Sequence, residues 1–442
     1  MSQRRSIEAV QRDALWFEPA SDGLAPLVEG IGDSPLVLIG EATHGTDEFY
    51  RTRAELTKAL ILRKGFNVIA VEADWPDAYR ANRWVRWESS ESNAAAALAD
   101  FTRFPQWMWR NRVTAEFLEW LRRYNEHRAV SSRAGFYGLD LYSLHASVHA
   151  VLSYLQRVDP DAAARARYRY ACFEHFGEDP QAYGYSAAIG VSRSCEDEVV
   201  AQLLELRRAA AEYVTRDGHV AADDFFFAEQ NARLVRNAEQ YYRTMFGGRA
   251  SSWNLRDTHM METLEALLDH VRTVNGEARA VVWAHNSHLG DARATEMSDR
   301  GECNLGQLVR QVHGESAFLV GFTTHTGTVS AASDWDEPVE RKRVRPSIEG
   351  SYERLFHQVG LERFLLLLRR PSTREALPES LLERAIGVIY RPDSERVSHY
   401  FRARLIDQFD AVLHVDESNA LEPLERWARD EVDLPETYPS GF

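Results

Sequence analysis

Short apolar runs recur between residues 35 and 140 and again between residues 279 and 415, each bounded by polar or glycine-containing segments. They are rich in valine, isoleucine and leucine and lack strict alternation, which is typical of strands buried on both faces of a parallel sheet. The runs are PLVLIG (35–40), NVIAVE (67–72), GFYGLD (135–140), RAVVWAH (279–285), AFLVGF (317–322), RFLLLLR (363–369), GVIYR (387–391) and AVLHV (411–415). This pattern predicts an α/β fold with a mostly parallel central sheet flanked by helices.

Helical patterns separate several of these strands. DEFYRTRAELTKALILRKG lies between the first two and ends at Gly65, as expected for a βαβ crossover. From residue 141 to residue 270 one helical pattern follows another. We therefore predict an α/β core formed by residues 1–140 and 271–442, interrupted by a helical insertion, residues 141–270, that forms part of a cleft. The polar stretch 333–350, with two prolines, is predicted to be a surface loop.

Composition and charge exclude several classes of function. The 442 residues carry a formal net charge of -15, which disfavours binding to nucleic acids and to anionic membranes. The N-terminal MSQRRSIEAV lacks the apolar core of a secretory signal, and no apolar run approaches the roughly 20 residues of a membrane span. Three cysteines without CxxC spacing fit a reducing cytoplasm and exclude a disulfide-stapled scaffold. We expect a cytoplasmic protein with no nucleic-acid or membrane partner, whose oligomeric state the sequence does not specify.

Polar side chains follow five of the predicted strands at their carboxyl ends, where α/β folds bind ligands. They are Glu41 and His44 after the first strand, Glu72 and Asp74 after the second, Asp140 and Tyr142 after the third, His285 and His288 after the fourth, and His325 after the fifth. A single histidine in such a place is more often a loop residue. Several charges at one sheet edge, however, are costly to bury unless they are paired or functional. The pattern predicts a catalytic site at this edge.

Two kinds of chemistry fit these residue types. A histidine oriented by a carboxylate is a general base for water. Two carboxylates with two or three histidines also match the ligands of a divalent cation, although the HExxH pattern is absent. The sequence lacks a GxSxG nucleophile elbow, a Walker loop and a GxGxxG motif after a strand. A hydrolase built on these residues would activate water directly, without an acyl-serine.

Six segments resemble the erythromycin esterase family in order and spacing. They are GEATHG (40–45), VEADWP (71–76), FPQWMW (104–109), GLDLYS (138–143), WNLRDTHM (253–260) and AHNSHLG (284–290). The resemblance implies one α/β unit with a large helical portion and a deep cleft, which hydrolyses a macrolide lactone with activated water. It implies that His44 is the general base and Glu41 its partner, with Glu72 and His285 completing the catalytic set.

The residues expected to bind substrate are His288, Arg53, Arg256, Asp74, Trp107 and Tyr142. The resemblance assigns Arg53 to the helix after the first motif and His288 to the histidine pair. Arg256 is a candidate for binding an oxyanion or a carboxylate. The partner is expected to be a small-molecule ester or lactone, and no cofactor is expected to be required.

Two alternatives to the water-activating esterase stay open at this point. In the first, the same cluster holds a divalent metal, with Glu41, His44, Glu72 and His285 as ligands of a metallohydrolase that acts on esters or amides. In the second, the chain is a non-enzymatic protein linked to envelope polysaccharide synthesis. The metal content of the purified protein separates the first alternative from the esterase. The second becomes the better interpretation if the fold does not bring these glutamate and histidine residues together.

Overall fold

The chain folds around a central sheet whose strands are separated by helices. The computed structural model describes residues 3–19, 22–176, 179–217, 219–246 and 248–430. Its strands are β1 (Leu36–Ile39), β2 (Val68–Asp74), β3 (Gly135–Asp140), β4 (Ala280–Trp283), β5 (Ala317–Ala331), β6 (Glu340–Val344), β7 (Arg363–Leu367), β8 (Leu381–Arg384), β9 (Tyr400–Ala403), β10 (Ala411–Ser418) and β11 (Arg429–Asp430).

The α-helices vary in length from one turn to about seven turns. They are α1 (Gln3–Asp13), α2 (Ala25–Ile31), α3 (Asp47–Lys64), α4 (Trp75–Val85), α5 (Ala94–Ala97), α6 (Arg112–Asn125), α7 (Leu144–Val158), α8 (Pro160–Tyr170), α9 (Pro180–Ala188), α10 (Glu196–Arg208), α11 (Ala210–Asp217), α12 (His219–Thr244), α13 (Arg249–Asn275), α14 (Asn286–Leu289), α15 (Leu305–His313), α16 (Tyr352–His357), α17 (Pro371–Ala376), α18 (Glu395–Ser398) and α19 (Leu405–Gln408).

Within the described residues the main sheet has nine strands, and its central part is parallel. From one edge to the other the order is β7, β10, β5, β1, β4, β2 and β3. All neighbours from β10 to β3 pair in parallel, whereas β7 pairs antiparallel with β10. The late part of β5 also pairs antiparallel with β6, which in turn pairs with β11. The predicted α/β class, with a mostly parallel sheet flanked by helices, is confirmed.

Helices cover both faces of the sheet, which explains the continuous apolar runs. Successive residues of a strand point to opposite faces. In β1, Leu36 and Leu38 belong to one hydrophobic cluster, and Val37 and Ile39 belong to the other. Because both faces are buried, every position of such a strand is apolar.

Helices α7 to α13 connect β3 to β4, and the described part of this connection contains no strand. The division of the chain into a core and a helical insertion stays a prediction. Within this region a disulfide joins Cys172 to Cys195, with their Cα atoms 6.0 Å apart, while Cys303 is free. All three cysteines were expected to be reduced, so this disulfide was not predicted.

Three local predictions were wrong. The run GVIYR (387–391) does not form a strand of the sheet; isolated bridges at Ile386 and Ile389 join this segment to the loop after β1 and to the end of β5. Within the predicted surface loop 333–350, residues 340–344 form β6, where alternate side chains are buried against β5. Strand β5 continues to Ala331, so that His325 lies inside the strand and not at its end.

Among the described residues, none of the helices combines the length and the apolar character that crossing a membrane requires.

Candidate active site

Adjacent parallel strands end at one edge of the sheet, and the polar residues associated with them meet there. Glu41 and His44 follow β1, Glu72 lies near the end of β2, and His285 follows β4. Since β4 lies between β1 and β2, these ends are neighbours. The rings of His44 and His285 have centroids 4.8 Å apart, and the backbone N–H of His285 donates to Glu72 over 2.8 Å. The fold therefore brings these four residues together, as expected from the order of the strands.

The loop after β1 is held against the sheet by close backbone contacts at its two glycines. The Gly40 N–H donates to the Val320 carbonyl over 2.8 Å. A Cβ atom on Gly45 would lie 1.9 Å from the carbonyl oxygen of Ser330, so only glycine accommodates this approach. These contacts fix the position of the two site residues that the loop carries.

A buried chain of three hydrogen-bonded polar groups begins behind the cavity and ends at its wall. Arg53, on α3, lies 2.7 Å from one carboxylate oxygen of Glu41, and the other oxygen lies 2.8 Å from Nδ1 of His44. The Arg53 guanidinium also lies over the rings of Tyr50 and Trp283, 4.2 and 5.3 Å from their centroids. Glu41 therefore accepts the Nδ1 hydrogen of His44, which leaves the Nε2 lone pair of the ring available.

The tautomer of His285 is set by the first turn of α14. Its Nδ1 accepts the backbone N–H of Ser287 over 3.2 Å, so the hydrogen of the neutral ring is on Nε2. Burial, together with the charge of His44, lowers the pKa of His285 well below its ordinary value, against the opposing effect of Glu72. His285 is therefore a neutral ring beside His44, and its Nε2 is buried without a hydrogen-bond partner.

Arg256, on α13, clamps two carboxylates of the site. Its Nε and Nη2 atoms lie 2.9 and 2.6 Å from the two oxygens of Asp140, and Nη2 is also 2.7 Å from Glu72. Burial works to raise the pKa of Glu72, but the charges of His288 and Arg256 hold it well below its usual range. Glu72 is thus an ionised group that orients its neighbours.

His288 is held between a carboxylate and an aromatic plane. Its Nδ1 lies 2.9 Å from Asp257, its Nε2 lies 3.3 Å from Glu72, and the Trp253 ring stacks on it at 4.4 Å. Burial alone would lower the pKa of His288, but Asp257 and Glu72 outweigh burial and raise it to about 9. The sequence analysis did not single out Asp257 or Trp253. Trp253 lies three residues before Arg256, on the same helix face, which was the available signal for it, whereas Asp257 directly follows Arg256 and had no such signal.

The charge on His288 predicts a pH dependence of stability. Its folded pKa lies above the ordinary value, so the stabilisation is fully present below about pH 6.5 and is lost as the pH rises towards 9. We expect the free energy of unfolding to fall across this window by up to about 3 kcal/mol more in the wild type than in His288→Gln. Urea unfolding at several pH values measures the difference. Equal pH slopes in the two proteins would contradict the assignment.

A cavity of about 860 Å³ opens onto these groups. Of the predicted residues, its wall includes His44, Glu72, His285, His288, Arg256, Asp74 and Tyr142. Further along, the wall is aromatic and apolar and includes Phe101, Phe104, Trp109 and Trp335. The cavity therefore joins a strongly polar end to an apolar region large enough for a sizeable organic molecule.

Three predicted site residues and one further histidine do not reach this wall. Glu41 and Arg53 lie behind His44 and are 1% and 0% exposed. Trp107 packs in the hydrophobic cluster on one face of the sheet. Trp109 lines the cavity, where Trp107 was expected to lie. His325 stacks on His357 and bonds to Ser347 instead. The expected direct contact of Arg53 and Trp107 with substrate does not fit these positions.

The donor set does not fit a metal-binding site. Across the parts of the chain that the structure describes, no group of three or more histidine, cysteine, aspartate or glutamate side chains is arranged to hold a metal ion. In the cluster itself, guanidinium groups occupy the oxygens that a cation would need, with Arg53 on Glu41 and Arg256 on Glu72. These carboxylates are already neutralised by arginine.

Comparisons with known proteins place this chain in a family. The family model described as erythromycin esterase matches residues 61–418. An Escherichia coli protein named erythromycin esterase type II is 21% identical over 417 residues, which cover 91% of this chain and 94% of that protein.

Two solved structures are also similar. A Bacillus cereus protein superposes with a TM-score of 0.77 at 18% identity, over 96% of this chain and 100% of the other. A mutant of the erythromycin esterase EreC in its open conformation gives a TM-score of 0.66 at 19% identity, over 92% and 98% of the two chains. At these identities the solved structures establish the fold alone. Because the family model spans most of the sequence, the chain belongs to the erythromycin esterase family.

Proposed function

We propose that this protein hydrolyses an ester or lactone with a water molecule that His44 activates, without a serine nucleophile. The observation that carries the proposal is the buried Glu41–His44 pair, 2.8 Å apart, whose imidazole lines a large cavity. A histidine whose Nδ1–H is held by a carboxylate presents its Nε2 lone pair as a general base. Membership of an esterase family supports the reaction class.

The first step forms a tetrahedral intermediate. Nε2 of His44 takes one proton from water while the water oxygen bonds to the carbonyl carbon of the substrate. The positive charge that develops on the imidazole is balanced by Glu41, and Arg53 compensates the charge of Glu41 in a region closed to solvent.

The second step breaks the ester bond. The negative charge that the carbonyl oxygen gained in the first step is compensated by Arg256, which lines the cavity. When the intermediate collapses, the C–O bond breaks and the departing oxygen takes the proton from His44. A lactone therefore opens to a hydroxy acid and gains one water.

Ser287 also lines the cavity, but its geometry does not favour a role as nucleophile. Its hydroxyl lies 2.8 Å from Nδ1 of His285. The other nitrogen of His285 has no hydrogen-bond partner, so no carboxylate orients this ring or balances its charge as Glu41 does for His44. Direct attack by water is the simpler route.

The cavity favours a large, partly apolar substrate. Its volume and its aromatic wall exceed what a small acyl ester needs. The names of the erythromycin esterase relatives support a macrolide as one candidate. We propose a macrocyclic lactone as the substrate class, with antibiotic inactivation as the consequence if the ring is that of a macrolide.

A mass-shift screen tests the proposal. Purified protein, before and after treatment with a chelator, is incubated with a panel of macrocyclic lactones and simple esters. We expect at least one lactone to gain the mass of one water, at the same rate in both preparations, and Ser287→Ala to retain this activity. Loss of activity after chelation, or an acyl adduct on Ser287, would contradict the mechanism. A panel in which no compound gains water would contradict the function.

A further inference from the structure

The loop after β1 leaves the sheet directly after Gly40, whose N–H still donates to the Val320 carbonyl of β5 over 2.8 Å. Parallel strands repeat such bonds every two residues. If β1 continued in this register, the next two bonds would join Phe322 of β5 to the Gly40 carbonyl and to the Ala42 N–H. A buried backbone N–H and carbonyl need partners, so the departure of the loop has to be compensated at Phe322.

The side chain of Asn286 provides this compensation. Its Nδ2 donates to the Phe322 carbonyl over 2.8 Å, and its Oδ1 accepts the Phe322 N–H over 3.3 Å. One primary amide therefore supplies a donor and an acceptor, as the backbone of a neighbouring strand would. Its Nδ2 also lies 3.3 Å from Glu383, and Asn286 is 1% exposed, so water does not compete for these contacts.

The same residue holds the start of the loop. The backbone N–H of Asn286 donates to the Glu41 carbonyl over 2.8 Å. A Cβ atom on Gly40 would lie 2.2 Å from Oδ1 of Asn286, so the amide packs directly against the point where the loop departs. Further along, the His44 N–H donates to the Ile386 carbonyl over 3.3 Å. The loop is thus fixed by Asn286 at its start and by Ile386 at its histidine.

We propose that Asn286 is a positioning residue for the catalytic base. Its amide completes the hydrogen bonds of β5, which allows residues 41–44 to turn away from the sheet and brings Glu41 within 2.8 Å of His44. The proposal rests on the proposed function in so far as it takes His44 to be the base. Asn286 is not among the residues that line the cavity, so it acts on the reaction through the loop and not through the substrate.

The variant Asn286→Leu tests this role, because it removes the hydrogen bonds of the amide at similar side-chain volume. We expect kcat to fall by about 10²-fold, the usual effect of a small misplacement of a catalytic group, while KM stays close to the wild-type value. Steady-state kinetics on a lactone from the mass-shift screen measure both constants.

Proton NMR gives a second measurement, which requires no substrate. An imidazole N–H that is hydrogen-bonded to a carboxylate gives a signal far downfield of most other protein signals. The signal of His44 is the one that His44→Ala lacks. We expect Asn286→Leu to lose this signal or to shift it upfield, because the contact between Glu41 and His44 is no longer held.

The matched control is Asn125→Leu. Asn125 is 0% exposed, and its Nδ2 donates to the carbonyls of Val85 and Ala134 over 2.9 and 2.8 Å. Its Oδ1 accepts the Ala134 N–H over 2.9 Å, so it is a buried amide with equivalent bonds that lies at the end of α6, outside the cavity wall. In urea unfolding this variant should lose a similar amount of stability, but it should keep both kcat and the His44 signal.

Gly40→Ala displaces the same amide without changing Asn286, since the added Cβ occupies the position of Oδ1. It should reproduce the losses of Asn286→Leu, and it provides the test if that variant does not fold. Circular dichroism selects a temperature at which all the compared proteins are folded.

The outcomes separate the positioning role from the proposed function. A wild-type kcat and His44 signal in Asn286→Leu, or an equal loss of both in Asn125→Leu, overturns the positioning role even if lactones are hydrolysed. If the wild type hydrolyses no lactone but the His44 signal depends on Asn286 and not on Asn125, the positioning role stands and the proposed reaction is the part that fails.

Discussion

Replacing His44 with alanine is expected to lower kcat by about 10²- to 10⁴-fold, the range over which general bases contribute to catalysis. The ring is the group of the Glu41–His44–Arg53 chain that reaches the cavity, so its loss removes the base and leaves Glu41 facing an empty space. KM should change much less than kcat, because the aromatic wall of the cavity is untouched. Steady-state kinetics on a lactone identified in the mass-shift screen measure both constants.

The matched control for this variant is His325→Ala. His325 is also a buried histidine near the carboxyl half of a central strand, but it stacks on His357 and does not line the cavity. Its replacement should leave kcat close to the wild-type value, because His325 contacts His357 and Ser347 and not the cavity. A His44→Ala enzyme with wild-type kcat, or an equal loss in both variants, would contradict the assignment of the base.

The fold could be predicted where the burial of a strand on both faces gives a continuous apolar run in the sequence. Strands β1 to β4 are buried on both faces and read as apolar runs, so their existence and order were predictable. The segment GVIYR was misassigned because a short apolar run does not distinguish a sheet strand from an extended loop with isolated bridges. Strand β6 was missed because its sequence, ERKRV, is charged, and its place in the sheet depends on the neighbouring β5.

The site could be predicted as far as sheet topology determines it. The carboxyl ends of adjacent parallel strands meet, which brings His44, Glu72 and His285 together. The partners that come from α13 could not be derived in this way. That helix lies far along the chain from β2, and only the three-dimensional packing brings Arg256 to Glu72 and Asp257 to His288.

The chemical roles of residues within the cluster could not be predicted from the sequence either. Spacing alone could not decide whether Glu41 and Glu72 hold a metal or organise hydrogen bonds. The arginine on each carboxylate makes the second arrangement the better physical account.

Replacing Arg53 with methionine is expected to lower the free energy of unfolding by about 3–5 kcal/mol, the usual effect of removing one partner of a buried ion pair. Arg53 and Glu41 are 0% and 1% exposed and lie 2.7 Å apart, so water cannot take the place of the guanidinium. Methionine retains much of the packing against Tyr50 and Trp283. Urea unfolding of the wild type and the variant measures the difference, and a change below about 1 kcal/mol would contradict the argument.

The double variant Arg53→Met, Glu41→Gln separates charge from packing. If the instability of the single variant comes from a carboxylate left without its cation, neutralising that carboxylate should restore most of the lost stability, because an uncharged pair no longer needs compensation. The double variant should not have wild-type activity even if it is stable, since His44 then lacks the carboxylate that orients it and balances its charge. A double variant that is less stable than Arg53→Met would instead assign the loss to packing around Tyr50 and Trp283. Recovery of stability without recovery of activity would mean that Arg53 is needed to compensate the buried charge of Glu41, and that this charge serves to orient His44 and not to stabilise the fold.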